Sequence, residues 1–292
     1  MRVLAPAKIN LYLDVCKRRG DGFHDIDTVF RTVSLCDIID IWLIPAGINL
    51  DVSGPFSDAL PRPGENLIVK AINYICDEYH YKTGISVRLN KNIPLGAGLG
   101  GGSSDAAAVI RTLPKLIKKK MPHNKALAIA KMIGSDVPFF LTGGCARGTG
   151  RGDLIEPIRD KTSYFAVLIY PFLNCSTARI YTNLTMKKTL TNNENINNII
   201  KSLQTGKQLN IWGKFLYNRL EDSAFSLYPE IKNIKTLLHK AGAEFSLMSG
   251  SGSVVYTITD SYAQALKIKR EFLQISHAIK SHIWIVHPEK NS

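Results

Sequence analysis

Residues 94–105 read PLGAGLGGGSSD and run directly into AAAVI. Five glycines and two serines within this stretch constrain the chain more than any other segment. Each glycine loses more backbone freedom on folding than another residue would. So many together point to something that must lie against bare backbone. A flexible hairpin followed by a helix cap would need one glycine and one serine, not five and two.

Three phosphate-loop patterns test the segment. The P-loop needs Gly-Lys followed by Ser or Thr; this loop ends in Gly-Ser-Ser, so the pattern is absent. The dinucleotide fingerprint GxGxxG fits Gly96, Gly98 and Gly101. It also requires a buried parallel strand before it and an acidic residue about 20 positions later. Here the preceding residues alternate at Ile85, Val87 and Leu89, and KLIKKKMPHNK at 115–125 holds neither strand nor acid. The third pattern is a glycine loop entering a helix N-terminus, with Ser103 or Ser104 as the expected N-cap. Backbone N–H groups there wrap phosphates closely, the helix end adds about half a positive charge, and the hydroxyls reach phosphate or Mg²⁺.

The surroundings suit an anionic small molecule. The chain has 292 residues, long enough for two domains, and a net charge of +13. The basic residues are scattered, without the aromatic interleaving of a nucleic-acid stripe. Five cysteines, at 16, 36, 76, 145 and 175, show no metal-binding spacing and fit free thiols in a reducing cytosol. No apolar run approaches the roughly 20 residues of a membrane span, and Pro6, Lys8 and Asn10 break up any leader-like segment. The expected protein is cytoplasmic.

Strands are expected at 2–9, 11–15, 28–35, 38–44, 85–89 and 165–170. Helices are expected at 65–79, from 103 onward, at 124–133, and across 215–241 with a break near Pro229. A turn is expected at 61–64, a loop or tight hairpin at 143–152, and an exposed Asn-rich segment at 191–198 opening a helix. The tail reads strand 244–248, strand 253–259, helix 262–273, strand 282–286.

PLGAGLGGGSSDAA resembles the ATP-binding loop of the GHMP kinases. APAKINLYLDV near the N-terminus resembles their first motif, and SLMSGSGSVVY at 246–256 their third. The resemblance spans residues 2 to about 256. It deepens toward one branch through APAKINLYLDVCKRRGDGFHDIDTVF (5–30), ENLIVKA (65–71) and GSDVPFFLTGGCARGTGRGD (134–153). The implied fold is α+β and two-domain: a ribosomal protein S5 domain 2-like N-terminal domain at 1–159, which binds ATP, and a ferredoxin-like C-terminal domain at 160–292, which contributes to substrate binding. The implied reaction is ATP-dependent phosphorylation of the 2-hydroxyl of 4-diphosphocytidyl-2-C-methyl-D-erythritol, in non-mevalonate isoprenoid synthesis. Another small-molecule kinase of the family, for mevalonate, homoserine or a sugar, is the alternative. Neither nucleic acid nor membrane is an expected partner, and the chain is expected as a monomer or weak dimer.

The resemblance implies Lys8 and Asp136 as catalytic residues. Read alone, Lys8 is a surface charge and Asp136 a helix cap. Asn10, Phe23, His24, Asp136, Thr177 and Tyr181 are implied for the substrate. The cytosine would stack between Phe23 and Tyr181, with His24 on its polar edge; Tyr181 could equally be a core aromatic. For ATP the resemblance implies Pro94, Gly96, Gly98, Leu99, Gly100, Gly101, Gly102, Ser103 and Ser104 around the phosphates. Asn66 and Lys91 are implied near the adenosine, although Lys91 alone reads as an exposed strand residue. Mg²⁺ is implied as well. Ser104 is a candidate ligand and no carboxylate has a strong claim, so the ligand set stays open. Asp105 is expected to complement the helix dipole, or to repel phosphate if turned inward.

Overall fold

A computed structural model describes residues 1–59, 65–185, 193–277 and 279–289. The turn expected at 61–64 and the first part of the Asn-rich segment lie outside them. Two long strands open the chain, β1 (Arg2–Arg18) and β2 (His24–Ile44). The sequence suggested four short ones, because Asn10 and Asp37 interrupt the apolar alternation and Lys8 adds a charge to it. These three polar side chains are buried and hydrogen-bonded instead, so the strands pass through them unbroken.

The chain divides into two compact units, and β1 and β2 contribute residues to both. Unit 1 holds Met1–Ala7, Leu35–Leu95 and Gly100–Gly143. In it, the latter half of β2 pairs antiparallel with β4 (Gly84–Asn90), with Ile39 opposite Leu89 and Ile41 opposite Val87. β3 (Ile48–Ser53), which the sequence did not announce, adds parallel to the other edge of β4. Helices α1 (Leu67–Tyr79), α2 (Gly101–Leu116), α3 (His123–Ile133) and α4 (Val137–Thr142) pack against one another. Ala106, Ala107 and Ala108 are fully buried. Their small side chains let the neighbouring helices approach α2 closely.

Unit 2 holds Lys8–Ser34, Gly96–Leu99 and the chain from Gly144. Here β1 lies beside the first half of β2. β5 (Cys145–Thr149) pairs antiparallel with β2, and β6 (Leu154–Pro157) returns on β5, which makes 143–152 the turn-bearing part of a hairpin. A second sheet takes the order β11 (His282–Val286), β7 (Phe165–Tyr170), β10 (Val255–Thr259), β9 (Phe245–Met248), antiparallel throughout. Between β7 and β9 run α5 (Thr177–Thr182), α6 (Asn193–Thr205), α7 (Leu209–Trp212), β8 (Tyr217–Asn218), α8 (Glu221–Leu227) and α9 (Pro229–Lys240). α10 (Tyr262–Ile275) joins β10 to β11. β8 lies parallel to β1, with Tyr12 opposite Tyr217. The core of unit 2 gathers Val167, Ile169, Ile231, Ile234, Met248 and Phe272.

Candidate active site

The glycine loop owes its shape to backbone signs. Gly96, Gly98 and Gly100 have φ of 64°, 77° and 70°, whereas Ala97 and Leu99 between them do not have positive φ. Such alternation turns successive N–H groups toward one side and makes an anion-binding concavity. Gly98 tolerates nothing larger, since a Cβ there would stand 2.0 Å from the Ser249 carbonyl oxygen. The Ser249 hydroxyl donates to the Gly98 carbonyl (2.9 Å), Val254 N–H to Ala97 (3.2 Å), and Lys8 N–H to Leu99 (2.9 Å). The loop is thereby fixed to β1 and to the SGSG segment. Asn218 supports that segment from below: its Nδ2 donates to the Met248 and Gly250 carbonyls at 2.7 and 2.8 Å. Sequence reasoning missed Asn218, because a lone asparagine in a two-residue strand carries no pattern.

Lys8 is 4% exposed and therefore not a surface charge. Its Nζ donates to Asn10 Oδ1 (2.7 Å) and stands 5.4 Å from the centre of the Phe30 ring. Gly250 has φ 55°, and a Cβ on it would stand 3.2 Å from Lys8 Nζ. Asn10 is oriented in turn: its Nδ2 donates to Thr28 Oγ1 (2.8 Å), whose hydroxyl donates to the Tyr12 carbonyl (2.6 Å). The Tyr256 hydroxyl donates to the Asn10 carbonyl (2.7 Å).

In the same unit, the RRGDGFH segment is drawn into a tight loop. Arg19 bonds Asp21 and Asp25, and its N–H donates to the Phe23 carbonyl (2.8 Å). Phe23 is 51% exposed, with the Arg151 guanidinium 4.6 Å from its ring centre. Tyr181 faces the His24 ring at 5.0 Å. So the ring standing against Tyr181 is His24, and Phe23 is covered by a cation that sequence reasoning had not noticed. Burial, aided by Arg18, holds the His24 imidazole below its ordinary pKa. A neutral imidazole has one donor and one acceptor nitrogen, the combination that reads a base edge. Thr177 Oγ1 shares a hydrogen bond with Ser251 Oγ (2.8 Å), which ties α5 to the SGSG segment.

Unit 1 holds the remaining predicted residues. Gly100, not Ser103 or Ser104, is the N-cap of α2, because its left-handed backbone turns the chain directly into the helix. Both serines fall in the first turn. Ser104 Oγ is buried without a hydrogen-bond partner. Lys91 is fully buried rather than exposed, its ammonium enclosed between Asp37 and Asp105, the latter at 2.7 Å. Asp37 Oδ1 also accepts from the N–H groups of Asn92 and Ile93, at 2.6 and 2.8 Å. Burial pushes the Asp105 carboxyl up to about 7, with Lys91 opposing it. Asp105 is thus turned inward, toward Lys91. Gly101 gives close approach, since a Cβ there would meet Ile93 Cγ2 at 2.8 Å and Lys91 Nζ at 3.0 Å. Asn66 is buried and caps α1, its Oδ1 accepting from Ile68 N–H (2.9 Å). Pro94 is buried and Gly102 half-buried. Asp136 takes the N-cap position of α4, as its sequence context suggested, but makes no side-chain cap bond to the helix.

Residues 66–144 match the GHMP kinases N terminal domain, and residues 193–276 the GHMP kinases C terminal domain. A 4-diphosphocytidyl-2-C-methyl-D-erythritol kinase from Shouchella clausii is 36% identical over 267 residues, 91% of this chain and 88% of the relative. One from Syntrophomonas wolfei is 38% identical, over 92% of each chain. The chain belongs to the GHMP kinase family. A crystal structure of 4-(cytidine 5'-diphospho)-2C-methyl-D-erythritol kinase superposes with a TM-score of 0.80 at 31% identity, covering 100% of both chains. As a GHMP kinase the protein is an ATP-dependent phosphotransferase with the mixed α/β two-domain fold of that family. Among its described residues no group of three or more His, Cys, Asp or Glu could hold a metal ion. No described helix is long and apolar enough to cross a membrane.

Proposed function

We propose that this GHMP kinase transfers the γ-phosphoryl group of ATP to the 2-hydroxyl of 4-diphosphocytidyl-2-C-methyl-D-erythritol, releasing ADP and the 2-phosphate. The reaction is a step of non-mevalonate isoprenoid synthesis. The observation that carries the substrate is the His24–Tyr181 ring pair beside Phe23, in the same unit as the Lys8–Asn10 pair. A neutral imidazole among aromatic faces suits a pyrimidine, and base–aromatic stacking is worth about 1–3 kcal/mol per base.

Phosphoryl transfer asks for positioning and charge stabilisation more than covalent chemistry. Asp136 takes the proton of the attacking hydroxyl, and Lys8, held by Asn10, stabilises the transferring phosphoryl. A loose transition state asks little of the base, because the proton leaves late. The alternating backbone from Gly96 to Gly100, with Gly101, Gly102, Ser103 and Ser104 at the start of α2, holds the triphosphate. Asn66 and Lys91 act on the adenosine side, Lys91 by shaping the site from within unit 1. Thr177 and Asn10 complete the substrate contacts.

Mg²⁺ fits this residue set. The ion keeps several waters and binds through one or two protein groups plus substrate phosphates, so no all-protein cage is needed. The unpartnered Ser104 hydroxyl would be its protein ligand, and the ion would neutralise phosphate charge. In this reading residues 1–159 bind ATP and 160–292 contribute to the substrate, while the two compact units interleave in sequence across that boundary. The enzyme acts in the cytoplasm on small molecules.

A coupled ADP-release assay tests the reading across a panel: the cytidylyl substrate, mevalonate, homoserine and a hexose. Turnover of the first, with kcat/KM at least about a hundredfold above the rest, is expected, since base–aromatic stacking of up to about 3 kcal/mol gives about that discrimination. Turnover of another alcohol with none of the cytidylyl substrate overturns it.

A further inference from the structure

α2 has a second end. Its 16 residues set that end about 24 Å from the phosphate loop. There unit 1 opens a cavity of about 640 Å³, a volume typical of small-molecule sites, which span about 300–1,000 Å³. Ile110, Met121 and Leu141 supply apolar wall. Arg111, Lys115 and the consecutive Lys118, Lys119 and Lys120 supply positive charge. No carboxylate lines the cavity, and among the described residues none stands in ion-pair reach of these five cations. Glu78 on α1 pairs with Lys125 instead.

Two features show that the wall and the helix end are built, although Lys115 and residues 118–120 are themselves exposed. Arg111 is half-buried and donates to the Phe140 carbonyl, which fixes its guanidinium at the wall. Lys118 sits at φ 56°, the left-handed position of a Schellman end: Lys118 N–H bonds Lys115 O (3.1 Å) and Lys119 N–H bonds Pro114 O (2.8 Å). Glycine is the unstrained residue there, and a lysine costs about 1 kcal/mol. The dipole of α2 accounts for cations in its last turn. It does not account for an apolar cavity beside them, or for Arg111 one turn earlier.

We propose that this cavity binds a phosphorylated amphiphile, a phosphate or diphosphate monoester of a short hydrocarbon chain. The chain lies along Ile110, Met121 and Leu141, and the phosphate among Arg111, Lys115 and residues 118–120. The site is separate from the loop that holds ATP and does not rest on the identity of the kinase substrate.

Calorimetric titration with n-octyl phosphate below its micellar concentration tests this. A non-hydrolysable ATP analogue and cytidine diphosphate are kept saturating, so that the nucleotide sites are filled. Octyl phosphate is expected to bind at least tenfold more tightly than either inorganic phosphate or 1-octanol alone. Lys115→Glu with Lys119→Glu, both exposed positions, should lose at least tenfold of that affinity while ADP release stays unchanged. Equal binding of inorganic phosphate marks a plain anion patch and overturns the proposal. So does equal binding by the double variant, or binding only to phosphatidylglycerol vesicles and not to monomeric octyl phosphate. If the double variant does not fold, the comparison of the three probes on the unaltered chain decides the matter.

Discussion

Lys8 and Asn10 stand two residues apart on β1, so their side chains share one face of the strand. That spacing, with Thr28 behind it, turns a buried lysine into an aimed one: Nζ to Asn10, Asn10 to Thr28, Thr28 to the Tyr12 carbonyl. Burying an ammonium costs free energy unless it is hydrogen-bonded and paired, and Asn10 supplies one of those bonds to Lys8. Asp136, proposed as the base, stands at the N-cap of α4 and makes no side-chain cap bond to that helix. Removing either group should slow the chemical step and leave nucleotide binding intact. Asp136→Asn and Lys8→Met are each expected to lower kcat by about 10²–10⁴-fold. Titration with a fluorescent ATP analogue should show affinity within about threefold of the unaltered enzyme, that is, less than 1 kcal/mol. A near-normal kcat in either variant refutes the assigned role.

At the scale of elements, the glycine loop and α2 each depend on partners distant in sequence. In unit 2 the SGSG segment fixes the loop at Gly98. Gly98→Ala drives a methyl into the Ser249 carbonyl and must pull that contact apart. The KM for ATP is expected to rise at least about tenfold, or 1.4 kcal/mol, with a lower melting temperature; an unchanged KM would show that the contact does not shape the loop. In unit 1, Lys91 joins Asp37 on β2 to Asp105 on α2. Two carboxylates around one ammonium leave an excess negative charge in a dry place, and Asp105 Oδ1 has no partner to share it. Its folded pKa of about 7 lies above the ordinary 3.8. Between those values the folded chain keeps a proton that the unfolded chain has released, so this group's contribution to stability falls as pH rises and levels off above the folded pKa. Melting temperatures measured from about pH 5 to pH 8 should fall more steeply for the unaltered protein than for Asp105→Asn. Parallel slopes would show that Asp105 is ionised throughout. Little of this pairing was legible in the sequence. Lys91 follows an alternating strand and looks exposed, and its partner Asp37 lies 54 residues earlier. The elements built from local signals were readable: the helix expected at 65–79, the apolar strand at 165–170, and the strand–strand–helix–strand tail.

At the scale of the whole molecule, the glycine loop and the order of the motifs announced the family, because both depend on short-range backbone chemistry. The length of β1 and β2 was not legible, because it depends on polar residues finding buried partners far along the chain. Net charge was legible from the start, and its consequence is kinetic. A chain of +13 draws in polyanions from a distance, and both proposed substrates are polyanionic. Steering acts on encounter and not on the bound complex, so it belongs to kcat/KM rather than kcat. Screening shortens its reach, from a Debye length of about 30 Å at 0.01 M salt to about 8 Å at 0.15 M. Raising potassium chloride over that range at fixed free Mg²⁺ should therefore lower kcat/KM for both substrates severalfold while kcat stays nearly constant. A neutral acceptor of the same family type, glucose for instance, should show no such fall in its own kcat/KM, however slowly it turns over. If kcat falls in parallel with kcat/KM, salt is acting on the bound complex, and the charge of this chain serves its surface and not its substrates.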